Sequence, residues 1–447
     1  MKKCTLLLAA LLFCFVASWS QKINYQKSFE EAKRLSLEQD KPMAILFTMQ
    51  PPAYANNNLA VLTSPEVVAT FNGSFINYKI AREDSASKRI IMQYRVTRFP
   101  SLVFLDSKGG LMFKDINVVP IPSHLVANVQ QAIDANKEKS LIDFDKEYLS
   151  GNYDSNFLKE YINKRKMAGI RDNSELIEKY VDFLTIADLD NYSQVLYILQ
   201  AGPVADGKAY RLAYTNKKII DSIYKTEPLE IRTAINNGII ANTMNSAVIN
   251  KNLTRAYAAA NFARTSWGKS YQEGQKNYTL NMLRYYRAIK DTVNYLREAS
   301  IFYDAYYMSV TADSLKRRDE NNKEKAKNSA LQRALSGVPE GGALKSFSYA
   351  YATENFANEL NNAAWSFYDI GTKDGTYLTK AMLWSKRSIE LNPISAYYDT
   401  LAHLLYRLGL FAEAESTQKK AVDLSKTEKR NMEDMQEALT KIKKRTL

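Results

Sequence analysis

The chain has 447 residues, 46% of them hydrophobic and 24% charged, with a formal net charge of +13. That length and balance supply apolar material for two or three cored domains and exclude a largely unfolded chain. The basic balance can attract nucleic acid, acidic polysaccharide or anionic lipid, but a solvated, lysine-rich helical surface accounts for it without any of them.

Residues 1–20 read as a secretory signal. Lys2 and Lys3 precede an apolar run from Thr5 to Val16, and Ala17, Ser18 and Ser20 supply small residues for cleavage, expected before Gln21. The run is shorter than the ~20 residues a membrane span needs, and bulky Phe13 before Cys14 speaks against a lipoprotein signal. No later run approaches a span, so the exported chain is expected in a bacterial periplasm or outside the cell. Loss of Lys2 and Lys3 lowers the formal charge from +13 to +11, and export makes nucleic acid an unexpected partner.

The two cysteines, Cys4 and Cys14, both lie in this signal. Once it is removed there is no thiolate for disulfide exchange and no sulfur ligand for zinc. His124 and His403 are the two imidazoles, far apart in sequence, and each is expected to be a surface or internally satisfied residue. No metal and no cofactor are expected.

From residue 22 to about 137 the signals alternate between helix and strand. Ser28-Phe-Glu-Glu31 is a capping box that starts a helix running to about Glu38. Lys41-Pro42 breaks it, and Met43 to Met49 is a continuous apolar run suited to a strand buried on both faces. Gln50 to Asn58 is a polar loop. Ser64-Pro65 starts a second helix, with Ser at the N-cap and Pro at the first helical position. Phe75 to Ile80 alternates as a strand, Ser85 to Tyr94 suits a helix, and Ser101 to Asp106 is a strand. Ser107-Lys-Gly-Gly110 turns into a last strand, Leu111 to Lys114, before a helix from about Ser123 to Ala135. This order implies an α/β sandwich with a small mixed sheet.

Three strings in this region resemble the thioredoxin-like family, in its exported form with a long helix before the first core strand. Asp40-Lys-Pro-Met-Ala-Ile-Leu-Phe-Thr48 resembles the approach to the active-site loop, and Thr63-Ser-Pro-Glu-Val-Val68 the segment after the active-site helix. Val96-Thr-Arg-Phe-Pro-Ser-Leu-Val-Phe-Leu-Asp106 is similar to the family's cis-proline loop, with Pro100 as that proline. The family places Cys-x-x-Cys at a helix N-terminus, where the dipole lowers the first thiol's pKa. Here that window is Pro51-Pro52-Ala53-Tyr54, or one residue later, ending at Ala55, and it holds no cysteine, serine or threonine. The resemblance therefore implies the fold and not the reaction. It also implies a peptide-binding surface at Arg98, Phe99 and Pro100, opposite Tyr54, because strand addition beside that proline needs only backbone groups and an apolar groove.

After Ala135 glycine and proline thin out, tyrosine becomes dense, and apolar residues recur three and four apart, as in amphipathic helices. Asp143 to Leu149, Ser155 to Met167 and Ser174 to Leu184 are expected helices, with a break at Asp188-Leu-Asp190. No repeat register is assigned from 150 to 270. Tyr285 to Ile289, a turn at Asp291-Thr292, and Leu296 to Tyr307 suggest a helical hairpin, Asp319 to Lys327 an exposed helix or connector, and Gly337 to Gly342 a break.

Residues 140–340 are thus expected to be helical, with repeats from 353 to 426 and a basic capping helix from 427 to 447. Leu401-Ala402, Leu405, Leu408-Gly409, Ala414 and Ala421 have the spacing of a tetratricopeptide unit. Ala364, Phe367, Gly371, Ala381, Ser388 and Pro393 repeat that register, and Ala381 to Ala414 and Ser388 to Ala421 are both 33 residues apart. Small residues at Ala364, Gly371, Ala381, Ala402, Gly409, Ala414 and Ala421 are expected where helices cross closely.

The resulting expectation is a non-catalytic, exported protein with a thioredoxin-like α/β domain and an all-α helical-repeat array that binds polypeptide partners in the cell envelope. The alternatives are a role in disulfide or redox homeostasis beside a partner enzyme, and an envelope component that holds acidic glycans.

Overall fold

The first elements in the chain are β1 (Tyr25–Gln26), α1 (Phe29–Glu38), β2 (Met43–Thr48), α2 (Pro65–Ser74), β3 (Ile76–Ala81), α3 (Ser87–Gln93), β4 (Ser101–Leu105), β5 (Leu111–Asp115) and α4 (Pro122–Ala135). The computed structural model in which they are seen describes residues 22–49, 56–115, 118–119, 121–335, 352–428 and 432–447. The strands form one mixed sheet in the order β1-β3-β2-β4-β5. β1, β3 and β2 run parallel, and β4 and β5 are antiparallel additions.

All six residues of β2 are buried because the strand is central and covered on both faces. Ala44 and Leu46 face a core with Val67 and Phe71 of α2 and Leu125 and Val129 of α4. Met43, Ile45 and Phe47 face the opposite core, with Phe29 of α1 and Ile90 of α3. Each of these side chains other than Ala44 contributes about 1.5–3 kcal/mol when fully buried, so an open face would forfeit several such contributions. The unbroken apolar run thus has a three-layer reason.

Local signals mostly landed where the spacing put them, with informative differences. Ser28 Oγ accepts the Glu31 N–H at 3.1 Å, but the Glu31 carboxylate bonds the Lys27 N–H at 3.2 Å, one residue earlier than a closed capping box requires. Ser64 occupies the N-cap of α2 without a side-chain cap bond, leaving Pro65 to start the helix. Asn56 to Asn58, expected in the polar loop, open a 3-10 helix that runs Asn56–Thr63. In the β4–β5 turn Asp106 accepts the N–H groups of Lys108 at 3.0 Å and Gly110 at 2.7 Å, while Ser140 donates to its other oxygen. A Cβ on Gly110 would lie 2.4 Å from that carboxylate, so the second glycine is sterically required.

The rest of the described chain is helical. It holds α5 (Leu141–Leu149), α6 (Ser155–Met167), α7 (Ser174–Tyr180), α8 (Ile186–Leu189), α9 (Tyr192–Gln200), α10 (Lys208–Ala213), α11 (Lys217–Thr226) and α12 (Leu229–Ile249). The expected break at Asp188-Leu-Asp190 contains the short α8, closed by a Thr185–Asp188 capping box. The chain divides into two compact units, Met1–Thr243 and Met244–Leu447, with the division inside α12.

The second unit continues with α13 (Leu253–Thr265), α14 (Tyr271–Ala288), α15 (Thr292–Tyr303), α16 (Ala312–Leu335), α17 (Ala352–Ile370), α18 (Gly375–Leu391), α19 (Ser395–Arg407), α20 (Phe411–Thr427) and α21 (Glu433–Lys444). Helices pack in sequential pairs, α13 with α14, α17 with α18, and α19 with α20. A π-turn at Asp304–Met308 follows α15, and Asp304 there accepts the Trp384 Nε1–H at 2.8 Å and pairs with Lys380. Asp319, expected on an exposed segment, lies inside α16, is buried, and accepts the Thr353 N–H at 3.2 Å. The basic terminal helix begins at Glu433, not Thr427, and buries Ala438 and Ile442. The expected break at 337–342 lies outside the described residues. Among the described residues no helix is long and apolar enough to cross a membrane.

Candidate functional site

The segment entering β4 leaves main chain without a partner among the described residues. Val96 N–H closes onto the Ile91 carbonyl at 2.9 Å, and the β2–β4 ladder resumes at Phe47 opposite Ser101. Between these points, the N–H groups of Thr97, Arg98 and Phe99 have no main-chain acceptor among the described residues. The Phe99–Pro100 peptide is cis. Ser101 Oγ donates to the Arg98 carbonyl at 2.6 Å and fixes the bend.

Side chains around this bend are mixed in character. Arg98 is exposed, while Phe99 is half-buried and packs on the core that holds Ile45 and Ile90. The Arg82 guanidinium sits 5.8 Å from the Phe99 ring centroid and its Nη1 is 4.0 Å from Met49 Sδ. A cation over an aromatic face is attracted to its quadrupole. Arg98, Phe99 and Pro100 are therefore together at one end of the sheet. Pro51, Pro52, Ala53, Tyr54 and Ala55 lie outside the described residues.

The small residues expected at helix crossings divide into two kinds. Ala364, Ala381, Ala402, Ala414 and Ala421 are buried in the paired helices, consistent with close crossing. Gly371 and Gly409 have φ of +79° and +81°, and a Cβ at either would touch nothing within 4 Å. These two are glycine because the left-handed helix ends demand it, not because a neighbour approaches. The glycine at a close crossing is Gly274 of α14, whose Cβ would meet the Arg264 carbonyl oxygen at 2.6 Å.

His124 is exposed, with Nδ1 3.4 Å from the Asn128 amide. His403 is buried, its Nδ1 2.8 Å from the Asp399 carbonyl, and its ring lies edge-on to Trp365 and Tyr368. Among the described residues no three His, Cys, Asp or Glu side chains gather as a metal site.

Sequence reasoning missed a cavity of about 860 Å³ in the first unit, lined by residues of α6, α9 and α12 that include Lys166, Gln200 and Ile235. Lys164-Arg165-Lys166 ends α6, where cations suit the helix dipole, so the run reads as solvated. All three are buried or half-buried instead, and Arg165 bonds the Asn173 side chain at 2.8 Å. Lys164 is buried and donates to the Ala135 carbonyl at 2.9 Å and to Glu138 at 3.1 Å, and Lys166 is half-buried against Gln200. No local pattern distinguishes these two lysines from exposed ones.

No protein-family model and no curated protein matches the chain. A solved structure described as "DsbH Oxidoreductase" is similar over 25% of this chain and 85% of that chain, at 20% identity and a TM-score of 0.23. A likeness that weak bears on neither activity nor partner.

Proposed function

We propose that residues 22–137 are a thioredoxin-like domain without a reactive thiol, and that this exported chain binds extended polypeptides in the cell envelope without catalysis. The single observation that carries the reading is the run of main-chain N–H groups at Thr97, Arg98 and Phe99 that have no main-chain acceptor among the described residues, beside a half-buried aromatic ring. An extended peptide adding there gains main-chain hydrogen bonds, and alternate side chains meet the Phe99 surface. Both cysteines lie within the first twenty residues, so removal of the signal leaves no thiol to react with a bound peptide. The hairpins α17/α18 and α19/α20 are read as tetratricopeptide-like repeats, whose stacked helices offer a second concave surface for extended chains.

The test is amide hydrogen exchange on the full-length protein with and without an unfolded, cysteine-blocked polypeptide. Protection of the Arg98 and Phe99 amides, lost in Phe99→Asp, is the expected result. Binding without protection there moves recognition to the helical hairpins. No binding at all sinks the reading.

A further inference from the structure

The cavity in the first unit carries charges that the fold itself leaves unbalanced. Lys166 Nζ, half-buried at the end of α6, reaches the Gln200 amide oxygen at 3.3 Å and the Tyr197 ring at 5.4 Å. Neither partner is an anion, and burial pushes the Lys166 ammonium below its ordinary pKa with no carboxylate to offset it. Arg171, on the loop after α6, lines the same space and forms no ion pair with a carboxylate among the described residues. Arg171 also presses on Lys114, which burial and the charges of Arg95 and Arg171 hold below its ordinary value. Glu230, exposed at the start of α12, is the acidic residue of the lining.

The remaining wall is apolar. Ile170, Ile231 and Ile235 line the space, and Gly238 lines it beside them. Asn242 is already bonded to the Gly202 carbonyl at 2.7 Å. A volume of about 860 Å³ is within the range of ligand pockets, about 300–1,000 Å³.

We propose that this cavity binds an organic monocarboxylate with an apolar body. Its carboxylate lies between Lys166 and Arg171, and its body lies along Ile170, Ile231 and Ile235. Two cations beside an apolar wall suit a monoanion with a hydrocarbon body rather than a phosphate dianion. The planar guanidinium of Arg171 matches a carboxylate's two oxygens. A carboxylate here supplies the counter-charge that Lys166 otherwise lacks. Two sources share this chemistry, a free hydrocarbon acid and the carboxy-terminus of an apolar peptide. The inference is independent of peptide addition at Phe99, because none of its residues belongs to that bend.

Calorimetric titration of the full-length protein tests it with five probes: decanoate, decanol, acetyl-trileucine as free acid, the same peptide as C-terminal amide, and inorganic phosphate. The expected result is binding of decanoate or of the free-acid peptide, with the neutral counterpart at least tenfold weaker. Whichever acid binds identifies the source. Lys166→Met and Arg171→Gln should each weaken binding about tenfold. Arg171 is exposed on a loop, so its variant keeps the test usable if Lys166→Met fails to fold. Equal binding of acid and neutral probe, binding of phosphate alone, or binding unchanged in both variants overturns the proposal. So does absence of binding to every probe.

Discussion

The sheet region and the C-terminal hairpins reach a dry interior by opposite means. Around β2 the two cores are filled with bulky groups, among them Phe47, Phe71, Phe75, Phe104, Ile45 and Leu102. In α17 to α20 the buried crossing positions are small, at Ala364, Ala381, Ala402, Ala414 and Ala421, with Trp384 and Phe367 filling the space beside them. A sheet fixes its neighbours at a spacing set by backbone hydrogen bonds, and large side chains must bridge the gap to the helices. Paired helices have no such spacer, and their separation follows the side chains between them. The sheet region should therefore be sensitive to deletion, and the hairpins to insertion.

The largest expected effect is in the sheet. Phe104→Ala removes a fully buried ring in contact with Phe71, Phe75 and Phe113. It should cost about 3–5 kcal/mol, read as a lower denaturation midpoint of the first unit. Lys164→Met comes next and asks whether one buried cation supports the junction of α4 and α6. Losing its bond to the Ala135 carbonyl and its pairing with the half-exposed Glu138 should cost about 1.5–3 kcal/mol. Urea unfolding measures this, and an unchanged midpoint would show the pair to be incidental.

In the hairpins, Ala402→Leu forces three more carbons into a closed helix crossing. Overpacking of this kind costs about 1–3 kcal/mol. If Ala402→Leu is neutral, the contrast between the regions collapses. Gly409→Ala sharpens the same contrast, since the site has room for a methyl group but holds φ at +81°. An L-residue there should cost about 1–2 kcal/mol through conformation alone.

The smallest effect appears only in alkali. Burial first, then a hydrogen bond to Asp145, pushes the Tyr161 phenol up to about 12, and burial first pushes Tyr94 up to about 12. A raised acid binds its proton longer in the folded state than in the unfolded one. The associated stability is complete below pH ~10, the ordinary phenol value, and is lost as pH climbs towards about 12. Tyr161→Phe should leave the melting temperature at pH 7 little changed and flatten its fall between roughly pH 10 and 12. An unchanged slope would remove Tyr161 from the account.

How much of this was legible beforehand depends on the range of the signal. Met43 to Met49 announced a strand covered on both faces, which runs Met43–Thr48, and Ser155 to Met167 matched its helix residue for residue. The small residues of α17 to α20 could be placed in register from spacing. The candidate bend at Arg98, Phe99 and Pro100 was found through resemblance, but the N–H groups beside it that lack a main-chain acceptor among the described residues became visible only with the ladder in view.

Periodicity, caps and turn residues act over a few positions, so the sequence by itself determined where most helices and strands lie and that its two cysteines sit in the first twenty residues. It did not decide that Lys164 and Lys166 turn inward, that Asp319 is buried, or that α6, α9 and α12 enclose a cavity. The two lysines and Asp319 depend on partners 26 to 34 residues away in the chain, such as Glu138 for Lys164 and Thr353 for Asp319, and the cavity joins helices farther apart still. Whether a charge is solvated or enclosed is a property of what packs against it, and packing is decided only when distant segments meet.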